Sequence, residues 1–351
     1  MTITAGPVRP ETAPTPTASR RLVDKVFKAR ELAVVAVLVL MLGATQLSNT
    51  EFLSEQGIKD LMLNATILVL VAVGQAVVVI TRNVDLSVGS VLGISAFAAG
   101  IHLQDGGNPL VAVLLATALG AVFGVLNGAL VSLGKVPALV VTLGTLYIVR
   151  GIDSIWVGSR QITADALPSS FVDFGHDGIG VVPHLALLAL AVLVAVAFYL
   201  RSYHGGRDMY ALGSSPEAAR LAGIPVRARI MTAYVLCGAL AGLAGALYLA
   251  RFGNVDSATG NGFELTVVSA VVVGGVAFTG GSGTVYGAAL GALLLTSINS
   301  VLPALGVNSV WVTAINGFLL LLAIAVDRIL ALRVAAALRK KAAQMRSARH
   351  A

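Results

Sequence analysis

The chain has 351 residues, 57% of them hydrophobic and 12% charged, with a mean hydropathy of +0.88, a balance that marks an integral membrane protein rather than a soluble domain. The net charge of +7 gathers at the two ends and in one internal loop without interleaved aromatics, which argues against a nucleic-acid surface. A single cysteine, Cys237, leaves neither a disulfide framework nor a thiolate metal site.

Residues 1–30 are rich in Pro, Thr and Ala and then basic (Arg20, Arg21, Lys25, Lys28, Arg30), the composition of a disordered tail. The apolar run that follows starts too far from Met1 for a cleavable signal and is expected to persist as the first span. At roughly 20 residues per crossing, ten spans are expected: about 32–48, 61–80, 84–103, 109–133, 137–157, 182–200, 228–250, 264–280, 284–302 and 309–327. Lipid requires each backbone polar group to be satisfied internally, and the runs are continuous rather than alternating. The expected fold class is therefore an all-α polytopic bundle and not a barrel. Spans 84–103 and 264–280 carry Gly and Ser and are the candidates for broken or half-length helices.

Lysine and arginine set the orientation. The loop from Arg201 to Arg229 holds Arg201, Arg207, Arg220, Arg227 and Arg229 against Asp208 and Glu217. The end of the chain holds Arg328, Arg333, Arg339, Lys340, Lys341, Arg346 and Arg349, whereas residues 158–183 hold Asp165, Asp173 and Asp177 against Arg160. With ten spans, both termini and the 201–229 loop fall on the cytoplasmic side. A transmembrane domain over 31–328 is expected between two basic tails, 1–30 and 329–351.

"TRNVDLSVGS" (81–90) places Arg82, Asn83 and Asp85 between two apolar runs. Hydration at the membrane interface would account for them. A turn that dips into the bundle would account for them equally, with Gly74, Gly89, Gly93 and Gly100 allowing close helix approach, Asn64 and Gln75 adding polar groups nearby, and Arg82 pairing with Asp85. The stretch 76–93 also faintly echoes 270–287, beginning at a shared AVVV and ending at a shared Gly, as duplicated transporter halves do.

"GGRDMYALGSSPEAARLAGIPVRARI" (205–230) contains a short helix: Ser214 or Ser215 as N-cap, Pro216 in the first turn, Glu217 at its positive end, and Gly223 with Pro225 as the stop. It reads either as loop packing or as a docking knob for a partner. In "NGFELTVVSAVVVGGVAFTGGSGTVYG" (261–287) an acid, Glu264, opens a span, and the glycine pairs 274–275 and 280–281 suit tight packing and a hairpin turn. No G-x-x-x-x-G-K-[ST] occurs, so the chain carries no P-loop of its own. The five histidines are scattered without metal-ligand spacing, and no nucleophile–base set appears. Transport without a cofactor is favoured over catalysis. Asn127, Thr142, Thr145, Tyr147, Asn299 and Asn316 are neutral hydrogen-bonding groups within spans, suited either to passing a polar solute or to bonding helix to helix.

"TRNVDLSVGS", "VPALVVTLGTLYIVRGI" (136–152), "RDMYALGSSPEAARLAGIPV" (207–226) and "GNGFELTVVSAVVVGGVAFTGGSGTVYGAALGALLL" (260–295) together resemble the permease subunits of bacterial ABC importers for ribose, xylose, rhamnose and autoinducer-2, in unbroken order over about 32–328. The resemblance implies a subunit of the cytoplasmic (inner) membrane that pairs with a second copy or a paralogue, two ABC ATP-binding subunits and an extracytoplasmic sugar-binding protein. It assigns Gly213, Glu217, Ala218, Ala219 and Gly223 to the segment that couples to the ATPase, and makes the polar turn with Asp85 and Ser87 a structural or gating feature. Asn64, Gln75, Asn83, Asn127, Thr145, Glu264 and Asn299 join it as candidates for the path or gate. Two departures stand out: "TVVSA" follows Glu264–Leu265, and Arg82–Asn83 replaces the ribose-type Gly-Gly, nearer to the rhamnose and autoinducer-2 members. The rival reading, an ion-coupled carrier, finds few buried acids beyond Asp85 and Asp153.

Overall fold

The computed structural model describes residues 17–308 together with 311–312, 314–322, 324–325 and 328–329. Apart from one two-residue hairpin it is all-helical, and among the described residues seven helices are long and apolar enough to cross a membrane. They are α1 (Thr17–Ser48, apolar from Glu31), α2 (Glu55–Ile80), α4 (Pro109–Ser132), α5 (Ala138–Val157), α7 (His184–Ser202), α10 (Val226–Phe252) and α12 (Val285–Ala304). Two shorter apolar helices, α3 (Val88–Gln104) and α11 (Phe263–Val273), fall in the spans whose Gly and Ser content marked them as breakable. The expected tenth span, 309–327, is only partly among the described residues, where 311–312 and 314–322 are helical. The tail from 330 and the first sixteen residues lie outside them.

Helix starts follow local chemistry. Ser54 accepts from the amide of Gly57 and Glu55 sits at the positive end of α2; Asn108 caps α4 ahead of Pro109; Thr284 caps α12 by accepting from Gly287. Gly253, left-handed at φ 61°, ends α10.

At the centre stands α2, with 94% of its spanning window buried, against 22% for α4 and α5 and 11% for α1. Around it pack α10, α12, α7 and α11. The α4–α10 contact rests on glycine: a Cβ on Gly120 would lie 2.1 Å from the Gly238 carbonyl oxygen, and one on Gly124 2.4 Å from that of Tyr234. Without a hydrophobic drive between helices in lipid, such backbone-to-backbone approach supplies the packing.

Three expectations need correction, and one stretch read only for its charge proves to be structured. The span expected at 84–103 begins as helix only at Val88, because 81–87 is an irregular turn. The span expected at 264–280 stops at Val273, and Gly275, Gly280, Gly281 and Gly283, all at positive φ, carry the chain to α12 as a loop. The acidic loop 158–183 is structured, with α6 (Ser169–His176), a hairpin pairing β1 (Gly178–Ile179) with β2 (Val182–Pro183), and a bridge from Ile162 to Val255. The basic stretch from Thr17 onward, expected as part of a disordered tail, is the start of α1.

Candidate functional site

The turn between α2 and α3 goes inward. Gln75 lies five residues before Ile80, about 7.5 Å back along the helix axis. Its side-chain amide, oriented to satisfy both groups, donates to the backbone carbonyl of Asp85 and accepts from its N–H, each at 3.2 Å. The Val84 carbonyl accepts from Tyr234 Oη at 3.1 Å and from Thr142 Oγ1 at 3.3 Å. The turn's backbone is thus satisfied by side chains of α2, α5 and α10, as backbone at membrane depth must be.

The Asp85 side chain is buried, 1% exposed, and its Oδ1 accepts from Ser87 N (2.9 Å) and Ser87 Oγ (2.6 Å). Asn127 Nδ2, on α4, donates to Ser87 Oγ at 2.9 Å and more weakly to Asp85 Oδ1 at 3.4 Å, while its Oδ1 accepts from Thr145 Oγ1, on α5, at 2.6 Å. One chain of bonds therefore ties the turn to α4 and α5. Burial removes the reading of Asp85 as a hydrated interfacial charge, and the expected Arg82–Asp85 pair does not form. Arg82 is exposed at φ 66° and makes no ion pair with it.

Six of the sequence candidates, Gln75, Asp85, Ser87, Asn127, Thr142 and Thr145, share this network. The others stand apart from it. Asn83 donates to the carbonyl and Oγ1 of Thr81. Asn64 lines a small cup with Asp60 and Ser300 near the opposite end of α2. Asn299 accepts from Asn316 Nδ2 at 3.2 Å. Glu264 sits against the start of α3, where a Cβ on Gly89 would lie 2.4 Å from its Oε2, and that oxygen is buried without a hydrogen-bond partner.

A cleft of about 700 Å³ opens between the 256–262 loop, α11 and the helical residues 316–320. Thr259, Asn261, Thr266, Ser269 and Asn316 contribute its polar groups, and the one carboxylate among its described lining residues, Asp256, is tied back to Ala258 N and Thr259 Oγ1. Arg150 of α5 holds this wall through the Thr259 carbonyl at 2.8 Å.

At the other end, two more helices, α8 (His204–Ser214) and α9 (Pro216–Leu221), follow α7. Ser215 Oγ accepts from Ala218 N at 3.3 Å, and Gly223 is left-handed at φ 78°, so the cap and stop expected for α9 are both present. An ion pair of 2.9 Å from Arg229 to Asp208 holds α8 to the start of α10. Gly213 presses on α2: a Cβ there would lie 1.9 Å from the Ile80 carbonyl oxygen and 2.4 Å from Gly281 N. Gly281 N in turn donates to Ile80 O at 2.9 Å, and Tyr210 Oη donates to Gly283 O at 3.1 Å. Burial raises the Tyr210 pKa to about 12, which keeps this donor protonated.

Residues 57–324 match a family described as branched-chain amino acid transport system / permease component. The chain belongs to this permease family. It is an ABC permease subunit, a multi-pass membrane transport component and not an enzyme. Autoinducer 2 import system permease proteins from Enterobacter sp. (strain 638) and Klebsiella pneumoniae subsp. pneumoniae are each 37% identical over 303 residues, 86% of this permease and 88% and 87% of theirs. The counterpart from Salmonella typhi is 36% identical over 294 residues, 84% of this permease and 83% of its own length. No solved structure matches.

Sequence reasoning passed over three features of the permease. The α4–α10 glycine stripe was visible as Gly120, Gly124 and Gly128 at four-residue spacing, with Gly238 and Gly242 opposite. The cleft wall at Thr259, Thr266 and Ser269 had no signal beyond ordinary polar residues near a span. The Gly213–Ile80–Gly281 junction joins three distant segments through backbone alone, which no residue-type pattern announces.

Proposed function

We propose that this permease forms the membrane path of an ATP-driven importer for a small neutral polar solute, a monosaccharide or a molecule like autoinducer 2. The observation that carries the reading is the cleft of about 700 Å³, its wall apolar at Leu92, Phe263, Leu265 and Leu320 and set with the hydroxyls and amides of Thr259, Asn261, Thr266, Ser269 and Asn316, the one carboxylate among its described lining residues being internally bonded. Such a lining exchanges hydrogen bonds with a polyhydroxylated solute and offers little to a free ion. The named relatives belong to autoinducer 2 import systems, which supports the same solute class. A second copy or a paralogue would close the cleft's open side, and an extracytoplasmic binding protein would deliver the solute.

The ATP-binding subunits dock on α9 and its flanks, with Gly213, Glu217, Ala218, Ala219 and Gly223 as the coupling residues. Glu217 and Ala218 are exposed for contact and Ala219 is buried beneath them, while Gly213 carries displacement to α2 and to the 274–284 loop. The Asp85 network and Glu264 belong to the gate rather than to a proton relay. Both termini and the 201–228 loop face the cytoplasm, with the transmembrane domain spanning 31–328.

The experiment is isolation from the native membrane in mild detergent with mass spectrometry of what remains bound, followed by uptake measurements with Glu217→Lys. A P-loop ATPase in roughly equal amount, and uptake lost in a normally inserted variant, are the expected results. Recovery without any ATPase under several mild conditions, together with normal uptake by the variant, would point to ion-driven transport instead.

A further inference from the structure

A second groove, of about 800 Å³, lies between the end of α4, the segment after it, and the chain linking α9 to α10. Three cations line it, Lys135, Arg220 and Arg227, all exposed, none of them in an ion pair among the described residues, and no acidic side chain joins them. Its remaining wall is largely apolar, with Val136, Ile224 and Val226 facing the same space. Ser132 lines it too, 6% exposed, and its Oγ is buried without a hydrogen-bond partner. Lys135 stands at φ 54°, a left-handed conformation that costs a non-glycine residue on the order of 1 kcal/mol.

We propose that this groove binds one anionic phospholipid of the adjacent leaflet, with its phosphate among Lys135, Arg220 and Arg227 and the start of its acyl chains along the apolar wall. The charges and the apolar surface are satisfied together by an amphipathic anion, and basic pockets between helices on the cytoplasmic side of a membrane bind anionic lipid headgroups. Ser132, whose hydroxyl has no other partner, supplies the neutral donor in the groove wall. A free phosphate would leave the apolar wall wet, and a zwitterionic lipid would bring its own cation to three others.

The probes are phosphatidylglycerol and phosphatidylcholine of matched chains, and inorganic phosphate alone, added to the full chain purified in non-ionic detergent and read by native mass spectrometry. About fivefold in affinity per cation predicts one phosphatidylglycerol retained with roughly a hundredfold preference over phosphatidylcholine. The triple variant K135Q/R220Q/R227Q should bring the two lipids near parity, and each single change should lower the preference about fivefold, which keeps the test intact where the triple variant folds poorly. R339Q/K340Q/K341Q, in the basic tail, should leave the preference in place. A groove variant that keeps the preference, a tail variant that loses it, or displacement of the lipid by equimolar phosphate would overturn the site. Loss of a co-purifying ATPase with lipid preference unchanged would assign the groove to that partner and overturn it as well. Binding is read on the isolated permease, so its failure is separate from any failure of the coupling assignment.

Discussion

Replacing Gly213 by alanine tests whether α8 is mechanically joined to the central helix. The new Cβ would start 1.9 Å from the Ile80 carbonyl oxygen and 2.4 Å from Gly281 N, where about 3.5 Å is comfortable, so the elements must separate by roughly 1.5 Å. That displacement breaks the 2.9 Å bond from Gly281 N to Ile80 O, a net loss of about 1 kcal/mol, and pulls Tyr210 Oη from Gly283 O, leaving a partly buried hydroxyl unsatisfied at about 1–3 kcal/mol. Alanine returns about 1 kcal/mol through its better helix propensity. The net expectation is a destabilisation of about 1–3 kcal/mol, seen as a lower thermal midpoint in detergent. In vesicles reconstituted together with the ATP-binding subunits proposed above, ATP hydrolysis should persist while solute uptake falls. Unchanged stability with fully coupled uptake would show that α8 and α2 do not move as one body, and the junction would lose its role.

Asn127→Leu removes the bonds to Ser87 and Thr145 together, while Ser87 keeps its bond to Asp85 Oδ1 and Thr145 its bond to the Val141 carbonyl, so a loss of about 1–3 kcal/mol is expected in unfolding, with Asn127→Gln intermediate; equal stability of the leucine variant would refute the network's importance. Arg150→Met leaves Asp153, 0% exposed and 3.8 Å from the guanidinium, as a buried charge without its partner. Adding Asp153→Asn should recover much of that loss, and strictly additive effects in the double variant would argue against the pairing. Tyr210 titrates near pH 12 when folded and near 10 when unfolded, so its contribution is whole below pH 10 and declines as pH rises toward 12, by up to about 1.4 kcal/mol per unit. Tyr210→Phe should flatten that part of the stability–pH curve, and an unchanged slope would contradict the assignment. Gly120→Val drives a side chain into the Gly238 carbonyl, from a Cβ at 2.1 Å, and should prevent α4 from seating on α10, read as loss of monodisperse protein.

The helical fold was legible because lipid leaves so few solutions: apolar length alone locates α4, α5, α7, α10 and α12 to within two residues at each end, and α2 at its C-terminal end, its polar first turn from Glu55 lying outside the apolar run. Where a polar residue interrupts an apolar run, length says nothing of direction. Asp85 could have faced water, and only the Gln75 amide and the Tyr234 hydroxyl, brought from elsewhere in the chain, explain why it does not. Caps are local, so Ser215 and Gly223 could be read in advance, whereas the cleft wall is assembled from the 256–262 loop, α11 and residues after 311 and exists only in three dimensions. The missing Arg82–Asp85 pair teaches the same lesson, since nearness along the chain does not aim a side chain, and the left-handed backbone of Arg82 turns the two apart.

The burial of α2 also determines what the bilayer can reach. A helix with 94% of its window enclosed by its own subunit has almost no perimeter exposed to hydrocarbon, whereas α1, α4 and α5 present most of theirs. When the membrane thins or thickens, the outer helices tilt to match, each ångström of mismatch costing a fraction of a kcal/mol. The axis itself is shielded from that adjustment. Ile80 and the Asp85 turn that follows it therefore keep their register to α10 and α12 from one membrane composition to another.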